Sequence, residues 1–128
     1  MTEERHVGLT YTQGTVTGPT GETATLEFLI DSGANYTLLP EAVWRRLSLE
    51  PERIQGFRLA DGTRIERAIS ECHITVGLRR GHTPVILGEA GDRALLGVIT
   101  LEQFGLVFNP FDGSLRPTEE ASLMPLTA

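Results

Sequence analysis

Four aspartates are spread along the chain: Asp31, Asp61, Asp92 and Asp112. Only Asp31 ends an apolar run and is followed by a small hydroxyl residue and a glycine, in Leu29-Ile30-Asp31-Ser32-Gly33-Ala34. Each part has a chemical use. A strand end holds a carboxylate rigidly, ready for proton transfer. The Ser32 hydroxyl can hydrogen-bond a neighbouring loop. Gly33 permits a tight turn and a close approach of backbone. The same triplet also describes an ordinary Asx turn.

Other reactive side chains form poorer sets. Cys72 and His73 are adjacent in an expected strand, so they point to opposite faces and make a poor nucleophile or metal pair. His6 and His82 have no ligand spacing to any partner. Trp44 reads as core or interface rather than a ligand stack. Arg45-Arg46 and Arg79-Arg80 read as solvated faces, as do Glu119 and Glu120. No phosphate loop or dinucleotide glycine pattern occurs. A phosphohydrolase nucleophile at Asp31 would want a second nearby acid and a metal, and Ser32-Gly33-Ala34-Asn35 supplies neither. No metal or cofactor is called for.

The elements that would position Asp31 are mostly strands. His6 to Thr17 is dense in Val, Thr and Tyr, and Gly18-Pro19-Thr20-Gly21 signals a turn. Glu22 to Ile30 follows, with Thr23, Thr25 and Glu27 alternating against Ala24, Leu26 and Phe28, the period of a half-buried strand. These two strands predict a hairpin running into Asp31. Pro40 suits the first position of a short helix through Leu47, with Val43, Trp44 and Leu47 on one face. Asp61-Gly62 predicts a two-residue hairpin turn between Phe57–Ala60 and Thr63–Glu66. Cys72–Val76 and Pro84–Leu87 are further expected strands. Leu95 to Ile99 leads into a second helix, where Thr100 and Gln103 read as a capping box and Ile99 with Phe104 as its hydrophobic staple; Gly105 ends it. Leu106–Phe108, a turn at 109–113 and Leu115 suggest a last hairpin, and residues after Pro117 a loose tail. Many short strands with two short helices predict a small barrel or sandwich.

Asp31-Ser32-Gly33-Ala34-Asn35-Tyr36-Thr37-Leu38 resembles the Asp-Thr/Ser-Gly-Ala-x-x-Thr motif of retropepsin-like aspartic proteases. Further along, Leu95-Leu96-Gly97 is similar to that family's second motif, two apolar residues and a glycine before a helix. The Asp61-Gly62 hairpin lies between them, where the family carries its flap. The flap sequence Leu59-Ala60-Asp61-Gly62 and the helix start Thr100-Leu101-Glu102 most resemble bacterial, non-viral members. The resemblance implies an all-β acid-protease barrel with one or two short helices and half a site per chain. The domain would span 7–117, with 118–128 as tail.

On that resemblance Asp31, Ser32 and Gly33 form the catalytic loop. Ser32 grips the matching loop, Gly33 receives substrate backbone, and Ala34 flanks the substrate. Ala60, Asp61 and Gly62 cover it, and Leu95, Leu96 and Gly97 pack behind the loop. The chemistry needs two carboxylates around one water, so a homodimer hydrolysing peptide or protein segments is implied. Viral members carry Asp and Arg where this chain has Asn35 and Val98, a paired loss that removes a dimer brace. A catalytically silent, dimeric peptide-binding module on the same fold is the alternative.

The whole chain agrees with that reading. Its 128 residues suit one domain, with 40% hydrophobic residues for a core. Fourteen Gly and seven Pro favour a turn-rich fold. A formal charge of −6 argues against nucleic acid and anionic membrane partners. The charged N-terminus lacks a signal peptide's apolar stretch, and Cys72 is the only cysteine, so a soluble cytoplasmic protein is expected.

Overall fold

The computed structural model describes residues 9–118. The strand expected from His6 starts, within them, as β1 (Tyr11–Thr17). The readings on His6, Glu119 and Glu120, and all but Thr118 of the expected tail, lie outside the described residues. The chain continues through β2 (Thr23–Ile30), β3 (Thr37–Leu39), α1 (Glu41–Arg46), β4 (Arg53–Arg58), β5 (Arg64–Val76), β6 (Arg79–Leu87), β7 (Leu95–Leu96), α2 (Val98–Gln103), β8 (Leu106–Asn109) and β9 (Ser114–Pro117).

Seven strands form one sheet in the order β1-β2-β7-β3-β6-β5-β4. It closes on itself where β1 pairs with β5, Thr15 opposite Thr75 and Thr17 opposite His73. The result is a barrel-like ring with two short helices, as expected. Closure satisfies strand edges that would otherwise be open. The thirteen-residue β5 makes this possible. Its C-terminal half pairs with β6 and β1, while its N-terminal half leaves the ring with β4 as a projecting hairpin. The sequence pattern had marked only the two ends of this strand.

Alternation predicts the buried faces well. In β2, Ala24, Phe28 and Ile30 are buried while Thr23, Thr25 and Glu27 face solvent. Phe28, Leu39, Leu47, Ile74, Val85 and Leu96 form the inaccessible centre. Helix α1 lies over it, with Val43 and Trp44 packed on the core and the Trp44 indole N–H donating to the Gly88 carbonyl at 2.7 Å. Pro40 is the N-cap of α1, one position ahead of the expected place. At its other end Ser48 takes φ 61, the Ser48 N–H reaches the Arg45 carbonyl and the Leu49 N–H the Trp44 carbonyl. That is a Schellman closure with serine where glycine is usual.

Two turn expectations are corrected. The β4–β5 hairpin closes through Ala60-Asp61-Gly62, three residues rather than two. Leu59 N–H donates to the Thr63 carbonyl at 2.7 Å and Gly62 N–H to the Leu59 carbonyl at 2.9 Å. A two-residue type I′ turn needs positive φ at both central residues. Gly62 has it at 90°, whereas Asp61 does not. The capping box at Thr100 and Gln103 does not form, because α2 begins earlier, with Gly97 as N-cap and no side-chain cap. Ile99 therefore sits inside the helix, not before it as a staple would require.

Candidate active site

Strand β2 delivers Asp31 to the mouth of the ring. The Asp31 N–H donates to the Leu96 carbonyl at 3.1 Å, so the strand end is tied to β7. Ser32 and Gly33 then turn, and the Ala34 N–H returns to the Asp31 carbonyl at 3.1 Å. The Gly33 N–H donates to Asp31 Oδ1 at 2.9 Å. The triplet is thus an Asx turn as well as a presented carboxylate. One oxygen is held by backbone; Asp31 stays partly open to solvent, beside exposed Ser32 and Gly33.

The second motif locks this loop from behind. Helix α2 starts directly beneath it. Its first free N–H groups, on Val98 and Ile99, donate to the Ala34 and Asn35 carbonyls at 2.9 Å each. The loop carbonyls therefore do what a side-chain cap would do. That is why Thr100 is not needed as a cap. Gly97 passes so close that a Cβ there would lie 2.5 Å from the Tyr36 carbonyl carbon and oxygen and 2.8 Å from the Asn35 oxygen. Ala34 is thus paired with Val98, and Asn35 with Ile99, through backbone alone.

A buried hydroxyl chain completes the support, and sequence reasoning did not find it. The Gly97 N–H donates to Thr37 Oγ1 at 3.0 Å, and Thr100 Oγ1 lies 2.7 Å from both Thr37 Oγ1 and Thr83 Oγ1. All three threonines are wholly buried. One direction satisfies every hydroxyl: Thr37 donates to Thr100, Thr100 to Thr83, and Thr83 to the Pro84 carbonyl at 3.5 Å. Leaving any of them unpaired at this depth would be costly. The clue was a threonine at a helix position facing inward, which also fits a cap.

The hairpin β4–β5 stands over the loop. A cleft of about 450 Å³ opens between them, lined from the loop side by Gly33, Ala34 and Tyr36 and from the hairpin side by Phe57, Leu59 and Ile65. The Tyr36 and Phe57 rings meet edge to face, centroids 5.7 Å apart. Ala60, Asp61 and Gly62 are exposed at the hairpin tip, beyond the cleft lining. The Thr63 backbone N–H and hydroxyl hold the Asp61 carboxyl below the ordinary carboxylate range. Asp61 is thus a turn-stabilising acid at the tip. Asp112 is likewise lowered by the Ser114 hydroxyl and N–H, in the β8–β9 turn. Asp92 accepts the Glu89 N–H at the cleft's lower edge.

The other candidates fall elsewhere. Cys72 is buried, and burial pushes its thiol up to about 12. His73 stands opposite His82 across the β5–β6 ladder, their rings edge to face at 5.3 Å. That pairing was invisible in the sequence because it depends on register. Among the described residues no group of three or more His, Cys, Asp or Glu is arranged to hold a metal ion. No helix there is long and apolar enough to cross a membrane.

A closed sheet that presents Asp-Ser-Gly at a strand end, backs it with Leu-Leu-Gly and a helix, and sets a hairpin beside it has the fold of retroviral-type aspartic proteases. The model of the gag-polyprotein putative aspartyl protease family matches residues 16–103, and the chain belongs to that family. Among solved structures it is similar to the Simian Foamy Virus (mac) protease in solution, with a TM-score of 0.54 and 20% identity over 72% of this chain and 91% of that one. No curated protein matches it significantly.

Proposed function

We propose that this protein is a homodimeric aspartic endopeptidase in which Asp31 of two copies shares one water. The observation that carries this reading is the rigid, partly open Asp31 carboxylate beside a hairpin-covered cleft, on a chain that holds only one such loop. A two-fold axis through the loop brings Asp31 against its mate, since a two-fold contact joins a patch to itself. Two adjoining carboxylates hold one proton between them, and the pair titrates as a unit.

The ionised carboxylate takes a proton from the water as its oxygen attacks the scissile carbonyl carbon. The protonated partner gives its proton to the carbonyl oxygen. The resulting tetrahedral diol collapses as the amide nitrogen is protonated and the C–N bond breaks, leaving a carboxylic acid and an amine. Ser32 and Gly33 serve the loop and the substrate backbone, and Ala34 flanks the substrate. Ala60, Asp61 and Gly62 close over an extended peptide when the hairpin bends inward. The Leu59-Ala60-Asp61-Gly62 tip favours the bacterial, non-viral branch, and a lone buried thiol favours a reducing cytoplasm.

The test is cleavage of a peptide library by wild type and Asp31→Asn, with and without a pepstatin-type inhibitor. Loss of cleavage in the variant supports the reading. Equal cleavage by both proteins sinks it. The alternative, a dimeric module that binds peptide without turnover, draws on the lost Asp/Arg brace at Asn35 and Val98. Retained peptide binding with no turnover in wild type would favour it.

A further inference from the structure

The hairpin over the cleft is basic in an acidic protein. Between Arg53 and Arg67 it carries Arg53, Arg58, Arg64 and Arg67 against Asp61 and Glu66, a surplus of positive charge in a chain of formal charge −6. Among the described residues only Arg67 of these four meets a carboxylate, Glu89, at 3.5 Å. Arg53 and Arg58 occupy the two ends of β4. Arg58 lines the cleft and donates to the Gly62 carbonyl at 3.1 Å. Arg53 is exposed and adjoins the cleft through the lining residue Tyr36, donating to its hydroxyl at 3.3 Å and to the Gln55 side-chain oxygen. Both guanidinium groups keep unused donors. The loop side opposite them offers the neutral Asn35 and Tyr36, and its nearest lining acid, Asp92, already accepts from the Glu89 N–H. Apart from Arg67, held by Glu89, the walls beside Arg58 are largely apolar: Leu38, Phe57, Leu59, Ile65, Ile86 and Leu95.

We propose that the substrates of this protein are segments that seat a large apolar side chain in this cleft and place carboxylates on either side of it, against Arg53 and Arg58. This rests on the peptide-cleft reading above. The guanidinium fork suits a carboxylate in two-point contact, while a lysine at the same place would meet like charge. In the dimer the two hairpins repeat the pattern on both flanks of the scissile bond. The carboxylate excess elsewhere on the protein repels acidic segments from other surfaces and leaves the cleft as their landing site.

The experiment uses fluorogenic peptides with a common Leu-Phe core and Glu, Gln or Lys on both flanks, plus a Glu-flanked control with an Ala-Ala core. kcat/KM is measured for wild type, Arg53→Gln and Arg53→Glu. Binding of the same peptides to Asp31→Asn is followed by fluorescence anisotropy. Glu-flanked peptides are expected to lead Lys-flanked ones by roughly 3- to 20-fold at low salt, and the lead should shrink in high salt. Arg53→Gln reduces the lead and Arg53→Glu turns it toward lysine, an inversion that misfolding cannot mimic. The Ala-Ala core loses most of its binding. A flat or lysine-first ranking, a ranking unchanged in Arg53→Glu, or neither cleavage nor binding overturns the proposal. Binding that ranks Glu first without any cleavage upholds it and overturns the peptidase reading instead.

Discussion

Replacing Gly97 with alanine tests how the loop bearing Asp31 is held. Gly97 has φ −98 and ψ 174, a conformation open to any residue, so the substitution adds a methyl group without backbone strain. That methyl would sit 2.5 Å from the Tyr36 carbonyl carbon and oxygen. An ordinary contact of this kind needs about 3.5 Å, so roughly 1 Å of separation must be found. The atoms in the way are backbone and cannot rotate aside. Either α2 backs off and loses the Val98 and Ile99 bonds, or the loop moves toward the cleft. Overpacking of this size costs about 1–3 kcal/mol. A displacement of about 1 Å in a catalytic group costs on the order of 100-fold in rate. Urea unfolding and peptide cleavage read the two effects. Gly81→Ala is the control, since its Cβ meets only Phe104 Cε1 at 3.4 Å, and it should be nearly neutral. Wild-type stability and activity in Gly97→Ala would refute the claim that this contact fixes the loop.

Three further outcomes follow from the packing. Thr100→Val keeps the shape but leaves the Thr37 hydroxyl without an acceptor and Thr83 without its donor, and should cost about 1–3 kcal/mol in urea unfolding, with Thr100→Ser recovering most of it. Ser48→Gly relieves the positive φ at the end of α1 and should raise stability by about 0.5–1 kcal/mol in the same assay. Cys72 should resist iodoacetamide until the protein unfolds. Its raised thiol pKa also means that the fold holds the proton more tightly than the unfolded chain does. Stability contributed by the neutral thiol is therefore full below the unfolded value and declines as pH rises toward about 12. A Cys72→Ala variant should lose that alkaline decline.

Much of this site was readable because its parts are local. Asp31-Ser32-Gly33 lies in one turn, and the Thr23–Ile30 alternation states which face of β2 is buried. Leu95-Leu96-Gly97 was readable only as a motif. Its reason, the approach of Gly97 to the Tyr36 carbonyl, joins segments far apart in the chain. The threonine chain is hidden in the same way, since Thr37 and Thr100 are linked only by the fold. Thr100 followed by Gln103 is a sound capping signal, yet the loop carbonyls of Ala34 and Asn35 reached the helix start first. The β4–β5 turn holds three residues rather than the expected two because Asp-Gly serves both two- and three-residue hairpins. Strand β3, only Thr37–Leu39, is too short to announce itself, and it forms because β6 and β7 flank it. Closure of the ring through β1 and β5 depends on register alone.

The central claim is that Asp31 works only beside another Asp31. Wild type and Asp31→Asn can be co-refolded at varied ratios and constant total concentration, and peptide cleavage measured. If both chains must supply the carboxylate, activity follows the square of the wild-type fraction and falls to about one quarter in an equal mixture. A linear fall, to about one half, would mean that each chain acts through its own Asp31 and would contradict the shared site.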